Sequence, residues 1–191
     1  MFEIIGFAVI QVVIGLLYSN FLEWALHKYV LHDLGKKFKK VFGFHWFDHH
    51  RNSVNNTFYD KDYEKSLDSI NSHSKETFGL TVVWAMHFWT FFAFPIFAVT
   101  ITYCMINYYF THKWAHQNPE WAKKHLRHHW DHHMGKNQNA NYCVTRPWFD
   151  YILRTRVEPK PELTLTKITT LNNNITVQTH KNKKTRMRIV K

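Results

Sequence analysis

Residues His125 to His133 read HLRHHWDHH, five imidazoles in nine positions, and His45 to His50 read HWFDHH, which nearly repeats the end of that stretch. Histidine is the side chain that is commonly neutral near pH 7 while offering a nitrogen lone pair to a metal. Fifteen of the 191 residues are histidine, and they are clustered rather than scattered. In chain order the clusters are HKYVLH (His27, His32), HWFDHH (His45, His49, His50), HKWAH (His112, His116) and HHWDHH (His129, His132, His133). Side chains three or four apart share a helix face. His112 and His116 can therefore point at one place, as can His45 with His49, and His129 with His132 and His133. Adjacent histidines diverge by about 100° around a helix axis, so each His-His pair can feed two metals. His27 and His32, five apart, do not share a face on a straight helix; they serve different ions or meet where the helix ends.

Ten histidines over two ions give five each and leave room for an exchangeable position. Nitrogen-only ligation suits iron, zinc, copper or nickel rather than magnesium or calcium. A structural zinc site takes four ligands and is closed, and ten exceed that need. Two ions with open positions imply chemistry, with non-haem iron and dioxygen the leading candidates. A ligating imidazole usually gives its other N–H to a carboxylate or carbonyl, which fixes its tautomer. Asp48 and Asp131, each directly before a His-His pair, and Glu23, one turn before His27, are placed for that role, although each equally fits a solvated surface carboxylate. His125, His128 and His129 repeat the H-x-x-H-H spacing four residues earlier, which makes His125 and His128 possible extra ligands. The later triplet is preferred because it carries the aspartate. His87, alone in VVWAMHFWTFF, reads as a hydrogen-bonded intramembrane residue, and His73 and His180 read as surface residues.

These side chains need elements to hold them. Ile4 to Leu22 carries no charge, and nineteen residues at ~1.5 Å rise give roughly 28 Å, enough to cross a hydrocarbon core of ~30 Å. From Thr77 to His112 there are 36 residues without Lys, Arg, Asp or Glu, roughly 54 Å as one helix and too long for one crossing. Pro95, in FFAFPIFAV, favours a break. The expectation is two crossings, Phe78 to Phe94 and Ile96 to Phe110, with a hairpin that turns inside the bilayer as the other geometry. The fold class expected is all-α: an integral-membrane protein with about three transmembrane helices and a cytosolic helical His-rich cap, domain 1–156, followed by a basic, flexible tail, 157–191. Lysines and arginines crowd the stretches after the first helix and after the hairpin, so positive-inside bias puts the N-terminus outside and the His clusters and C-terminus in the cytosol. Sequons at Asn55 and Asn174 then face the cytosol and go unused. The membrane would be the endoplasmic reticulum in a eukaryote and the inner membrane in a bacterium. The net charge of +11 suits anionic lipid headgroups. No basic helix or module points to nucleic acid, and Cys104 and Cys143 form neither a disulfide framework nor a C-x-x-C site.

The four His boxes in this order, over roughly residues 20 to 155, resemble the fatty acid hydroxylase / sterol desaturase superfamily of membrane di-iron oxygenases. The segment after the last box, NYCVTRPWFDYILRT, resembles the family's but departs from it. Cys143 and Arg154 stand where Gly is usual, and Phe149 where Trp is usual. The resemblance implies two iron ions, for which zinc can substitute in purified protein, held by the ten histidines. It further implies activation of O2, insertion of one oxygen into a lipid C–H bond, and an external electron donor such as a cytochrome b5 or ferredoxin system. Hydroxylation of a fatty acyl or sterol-like lipid leads; carotenoid hydroxylation and lipid desaturation share the same metal pair. A non-enzymatic membrane metal carrier is the reading from another class, and it would want more intramembrane polar residues than this hairpin holds. The hairpin aromatics Trp84, Phe88, Trp89, Phe91, Phe92 and Phe94 either line a lipid slot or face lipid.

Overall fold

The computed structural model describes residues 2–159; most of the basic tail, with His180 and the Asn174 sequon, lies outside the described residues. Those residues are helical, with no strand among them, and Met1–Glu158 forms one compact unit. In chain order the helices are α1 (Phe2–Ala25), a π-helical stretch (Leu26–Leu34), α2 (Gly35–Lys37), a second π-helical stretch (His45–His49), α3 (His50–Asn55), a 3-10 turn (Lys61–Glu64), α4 (Ser72–His87), α5 (Thr90–Ala93), α6 (Pro95–Gln117), α7 (Pro119–His125), α8 (Arg127–Met134) and α9 (Trp148–Ile152).

The first helix runs without interruption over Glu3–Lys37 and is long and apolar enough to cross a membrane. Only 17% of its most apolar window is buried, so it is not the core helix of a water-soluble domain. Ile4, Phe7, Ile10 and Ile14 present their side chains outward. Among the described residues no other helix meets that requirement, where the expectation is about three crossings or a hairpin that turns inside the bilayer. The hairpin is shaped differently from its sequence. Asn71 caps α4 in a reciprocal box with Ser74, so the helix begins six residues before its apolar part at Phe78. It also ends early, at His87, whose carbonyl accepts from the Thr90 hydroxyl at 2.6 Å. Sixteen residues make about 24 Å, short of a bilayer core. A break does fall at Pro95, as expected: Phe94 before it is non-helical and Pro95 opens α6, where its missing N–H costs nothing. Phe88 and Trp89 add a second interruption.

Helix α6 packs along α1 and also touches α4. The closest approach is at Gly15, where an added Cβ would lie 2.8 Å from Thr100 Cγ2. Gln11 accepts the Phe97 backbone N–H at 3.2 Å nearby. At the other end of α6 a small core of Phe58, Ala115, Ala122, Leu126 and Trp130 holds α7 and α8 against it. Trp24 of α1 meets Tyr142 and Cys143 of the loop before α9. The helices that carry histidine are thereby gathered at one end of the α1–α6 pair.

Candidate metal centre

A π-helix has i→i+5 hydrogen bonds and brings residues five apart onto one face. Because Leu26–Leu34 is π-helical, His27 and His32 face the same point, with ring centroids 5.1 Å apart. They join one cluster rather than serving different ions. The second π-helical stretch changes the pairing again: His45 groups with His50, and His49 is turned to the neighbouring cluster. On α6 the ordinary four-residue spacing puts His112 and His116 together, centroids 4.7 Å apart. On α8 the adjacent His132 and His133 diverge, one to each cluster.

Two groups of buried imidazoles result: His27, His32, His45, His50 and His132, and His49, His112, His116 and His133. Within each, one nitrogen per ring lies within 4.8 Å of all the others. His129 stands beside the second group, its Nε2 3.2 Å from His116 Nε2. The hydrogen bonds on the far side of the rings fix which nitrogen is bare. Nδ1 donates to the Tyr142 carbonyl from His27, to Asn139 Oδ1 from His32 (3.4 Å) and to the Ala140 carbonyl from His132 (2.7 Å). It donates to Asp60 Oδ2 from His49 (2.8 Å), to Glu76 Oε1 from His112 (2.6 Å) and to the Phe58 carbonyl from His116 (2.8 Å). Each of these oxygens can only accept, so the proton is on Nδ1 and the Nε2 lone pair points inward.

Those lone pairs face one another. His32 and His132 both bring Nε2 to 3.1 Å from His50 Nε2, which can donate to only one of them. His49 Nε2, His112 Nε2 and both nitrogens of His133 are buried with no partner. Buried polar atoms are rarely left so. A cation inside each ring of nitrogens would remove the repulsion and satisfy one inward-facing nitrogen of each imidazole, so the residues fit a pair of metal ions. Burial first, and neighbouring imidazoles second, hold His45, His50, His129 and His133 well below the ordinary histidine value. The same two causes hold His116 down against the pull of the Phe58 carbonyl. Burial brings His132 down to about 3 although the Ala140 carbonyl pulls the other way.

The carboxylates behind the rings are not the three expected. Asp48 is exposed and lies 3.9 Å from Lys75, because the residue before a histidine points about 100° away from it. Asp131 is buried but pairs with Arg127 (2.7 Å) and Arg156 (3.5 Å). Glu23 accepts from the Thr145 N–H and hydroxyl, each at 2.7 Å, and from the Val144 N–H, and does not reach His27. Asp60 and Glu76 take the role instead, and neither stands near a histidine box in sequence. Tyr63 adds a third group, its hydroxyl donating to Glu76 Oε2.

Of the possible extra ligands, His125 is exposed against Trp121. His128 is buried but spends its Nε2 on the Val144 carbonyl at 2.8 Å. His73 is a correction as well: it is buried, 2.8 Å from the Tyr109 hydroxyl, rather than on the surface. His87 is hydrogen-bonded inward to Tyr18 as expected. Left-handed backbone marks the supporting loops. Phe58 has φ 77° and is locked between His116 and Trp130, and Asn141 (φ 59°) leads into Tyr142. Arg154 (φ 56°) also lies in this region, which accounts for the glycine expected there. Cys143 does not, so its backbone makes no such demand.

A cavity of ≈ 830 Å³ opens between α1, α4 and α6. Leu26, Val30, Leu80, Val83 and Ile101 are among its apolar walls, and it reaches His27 of the five-histidine group and the Glu76 side chain behind the other. None of the six hairpin aromatics lines it; Phe88, Trp89, Phe92 and Phe94 are exposed on the outside. Compared with known proteins, the chain matches a family model described as fatty acid hydroxylase over residues 12–155. No curated protein and no solved structure matches it.

Proposed function

The chain belongs to the fatty acid hydroxylase family, and on that premise we propose that it is a membrane-bound di-iron oxygenase that hydroxylates a C–H bond of a fatty acyl or sterol-like lipid. The observation that carries this reading is the convergence of buried Nε2 lone pairs in two adjacent groups. His27, His32, His45, His50 and His132 would hold one iron; His49, His112, His116 and His133, with His129 beside them, the other. Bound iron supplies the activation of O2, with electrons from a separate donor such as a cytochrome b5 or ferredoxin system.

The chain's own residues do the rest. Asp60 and Glu76 keep the Nδ1 protons of His49 and His112 in place, so these rings present Nε2 without reorganising. Loop carbonyls at Ala140 and Tyr142 do the same for His132 and His27. The apolar walls of the cavity exclude water and lay a hydrocarbon chain alongside the metal groups. Helix α1 anchors the protein, with its N-terminus outside and the histidines and C-terminus on the cytosolic side, in the endoplasmic reticulum or a bacterial inner membrane. The short α4 suits a hairpin that turns within the bilayer. A metal carrier would need a polar path, and the cavity beside the metal groups is mainly apolar.

The test is mass spectrometry of the lipids and carotenoids of a host that expresses the chain with a reductase. A gain of one oxygen in a lipid is the expected result. A loss of two hydrogens would make the enzyme a desaturase. His49→Ala and His132→Ala should lower metal content and abolish the product; unchanged metal content would contradict the ligand assignment.

A further inference from the structure

The cavity runs no further than the level of Tyr18 and His87. Its walls include no residue of α1 before Leu16, of α4 beyond its last residue, His87, or of α6 before Ile101. At that level Tyr18 and His87 reach across from α1 and α4, hydroxyl to Nε2, at 2.6 Å. His87 Nδ1 donates to the Val83 carbonyl at 2.7 Å, so Nε2 has no proton and the tyrosine hydroxyl is the donor. Behind the pair, the Tyr18 ring packs on Phe97, centroids 5.6 Å apart. One turn further, Gly15 and Thr100 bring α1 and α6 into direct contact. The pair is internally satisfied and offers no spare donor to a polar ligand.

Resting on the reading of this cavity as a slot for a lipid chain, we propose that the Tyr18–His87 pair is the stop at its deep end and sets how many carbons of substrate lie beyond the oxidised position. The polar headgroup stays near the exposed Arg146 and the partly exposed Lys75, which also line the cavity, and the apolar terminus runs inward. From His27 back to Tyr18 is nine residues of helix, ~13.5 Å, and from Glu76 to His87 is eleven, ~16.5 Å. A chain of ~1.5 Å carbon–carbon bonds advances about 1.25 Å per carbon, so roughly 12 carbons fit between the metal groups and the stop. A hydrogen bond is the economical way to build such a stop in an apolar surrounding, because an unpaired tyrosine hydroxyl or imidazole there is costly.

The experiment reads binding as well as chemistry. Purified, metal-loaded protein in detergent is titrated with saturated fatty acids of stepped length displacing a fluorescent fatty acid, and oxygenated lipids from expressing cells are sized in parallel. Wild type should show a length beyond which affinity stops rising. Tyr18→Ala should move that cut-off up by about two to four carbons, roughly 2.5–5 Å of added depth. Val83→Phe, which fills the slot one turn short of the stop, should move it down by about four carbons, one ~5.4 Å turn. Tyr18→Phe keeps the ring and should leave the cut-off in place. A cut-off that ignores both Tyr18→Ala and Val83→Phe, or that Tyr18→Phe moves as far as Tyr18→Ala, overturns the stop. Oxygenated product alongside that result leaves the oxygenase standing. A cut-off that the variants shift as stated, without any oxygenated lipid from the wild type, overturns the oxygenase and supports the stop.

Discussion

Glu76→Gln removes one charge from behind the four-histidine group and keeps the side chain's size. The wild-type carboxylate is 8% exposed and takes the His112 Nδ1 proton at 2.6 Å on one oxygen and the Tyr63 hydroxyl on the other. Burial pushes its carboxyl up, but the His112 imidazole and the Tyr63 hydroxyl outweigh this and bring it down to about 2, so it is ionised at neutral pH. Burial and the same carboxylate push the Tyr63 hydroxyl up, so it remains a donor. Gln can still accept from His112, so the geometry survives; the charge, which makes the imidazole a stronger lone-pair donor, does not. Losing such a partner costs about 10–100-fold in metal affinity, or about 1.4–2.7 kcal/mol. The five-histidine group has no carboxylate among its Nδ1 partners, only Tyr142, Ala140 and Asn139 oxygens. The loss should therefore fall on one ion of two. The assay is metal content during titration with a chelator: wild type releases two ions, and Glu76→Gln should release one of them at about 10–100-fold lower chelator while the other stays put. Simultaneous weakening of both ions, or of neither, would refute the assignment of Glu76 to one group.

Acid should destabilise the metal-free protein. His45, His50, His116, His129, His132 and His133 are all held below their ordinary value when folded. Between that lowered value, about 3 for His132, and ~6.5, only the unfolded chain binds their protons, so stability is greatest above ~6.5 and falls as pH drops. One unit below ~6.5 each contributes about 1.4 kcal/mol against folding, and a thermal midpoint that stays level from pH ~7 to ~5.5 would contradict this burial. Gly15→Ala should lower the thermal midpoint in detergent, because its Cβ would lie 2.8 and 2.9 Å from Thr100 Cγ2 and Cβ. Parting α1 from α6 costs about 1–3 kcal/mol. Gly6→Ala, with nothing within 4 Å, is the control, and equal midpoints would show that α1 and α6 are not in close contact at Gly15.

The histidines that gather in the structure are legible in sequence and their hydrogen-bond partners are not. Histidines announce themselves by type and by crowding, and nine of the ten expected fall into the two buried groups, with His129 at the edge of one. Their division between groups was misjudged because spacing was read on an α-helix. A five-residue interval is a mismatch at 3.6 residues per turn and a match on a π-helix, and no composition rule separates the two. Asp48 and Asp131 looked like supports because they are neighbours in sequence, whereas Asp60 and Glu76 come from 11 and 36 positions away from the histidines they hold. His73 looked exposed because its sequence neighbours are polar. The long uncharged run and Pro95 point to a hairpin with a break at Phe94, which the structure has. Its start at the Asn71 cap and its earlier interruption at Thr90 on the His87 carbonyl are signals that hydropathy does not weigh.

A nine-residue π-helix is an uncommon element, and something must hold it. Its two histidines are tied to the loop between α8 and α9: His27 to the Tyr142 carbonyl and His32 to Asn139. That loop carries the same duty for His132 through Ala140. The loop is itself clamped from both sides by carboxylates. Asp150 accepts the Tyr142 and Cys143 N–H groups at 2.8 and 2.9 Å, and Glu23 accepts those of Val144 and Thr145. The segment ANYCVTRPWFD, Ala140 to Asp150, thus acts at one remove from the candidate metal positions: its backbone oxygens set the tautomers of His27 and His132, and the Asp150 and Glu23 carboxyl groups set its backbone. Glu23, placed by sequence behind His27, supports that ring after all, but through the Val144 and Thr145 N–H groups of the loop rather than by contact. The five-histidine group depends on carboxylates at a distance, and the four-histidine group on carboxylates in contact. The two candidate metal positions therefore differ in donor strength although every inward-facing atom is an imidazole nitrogen.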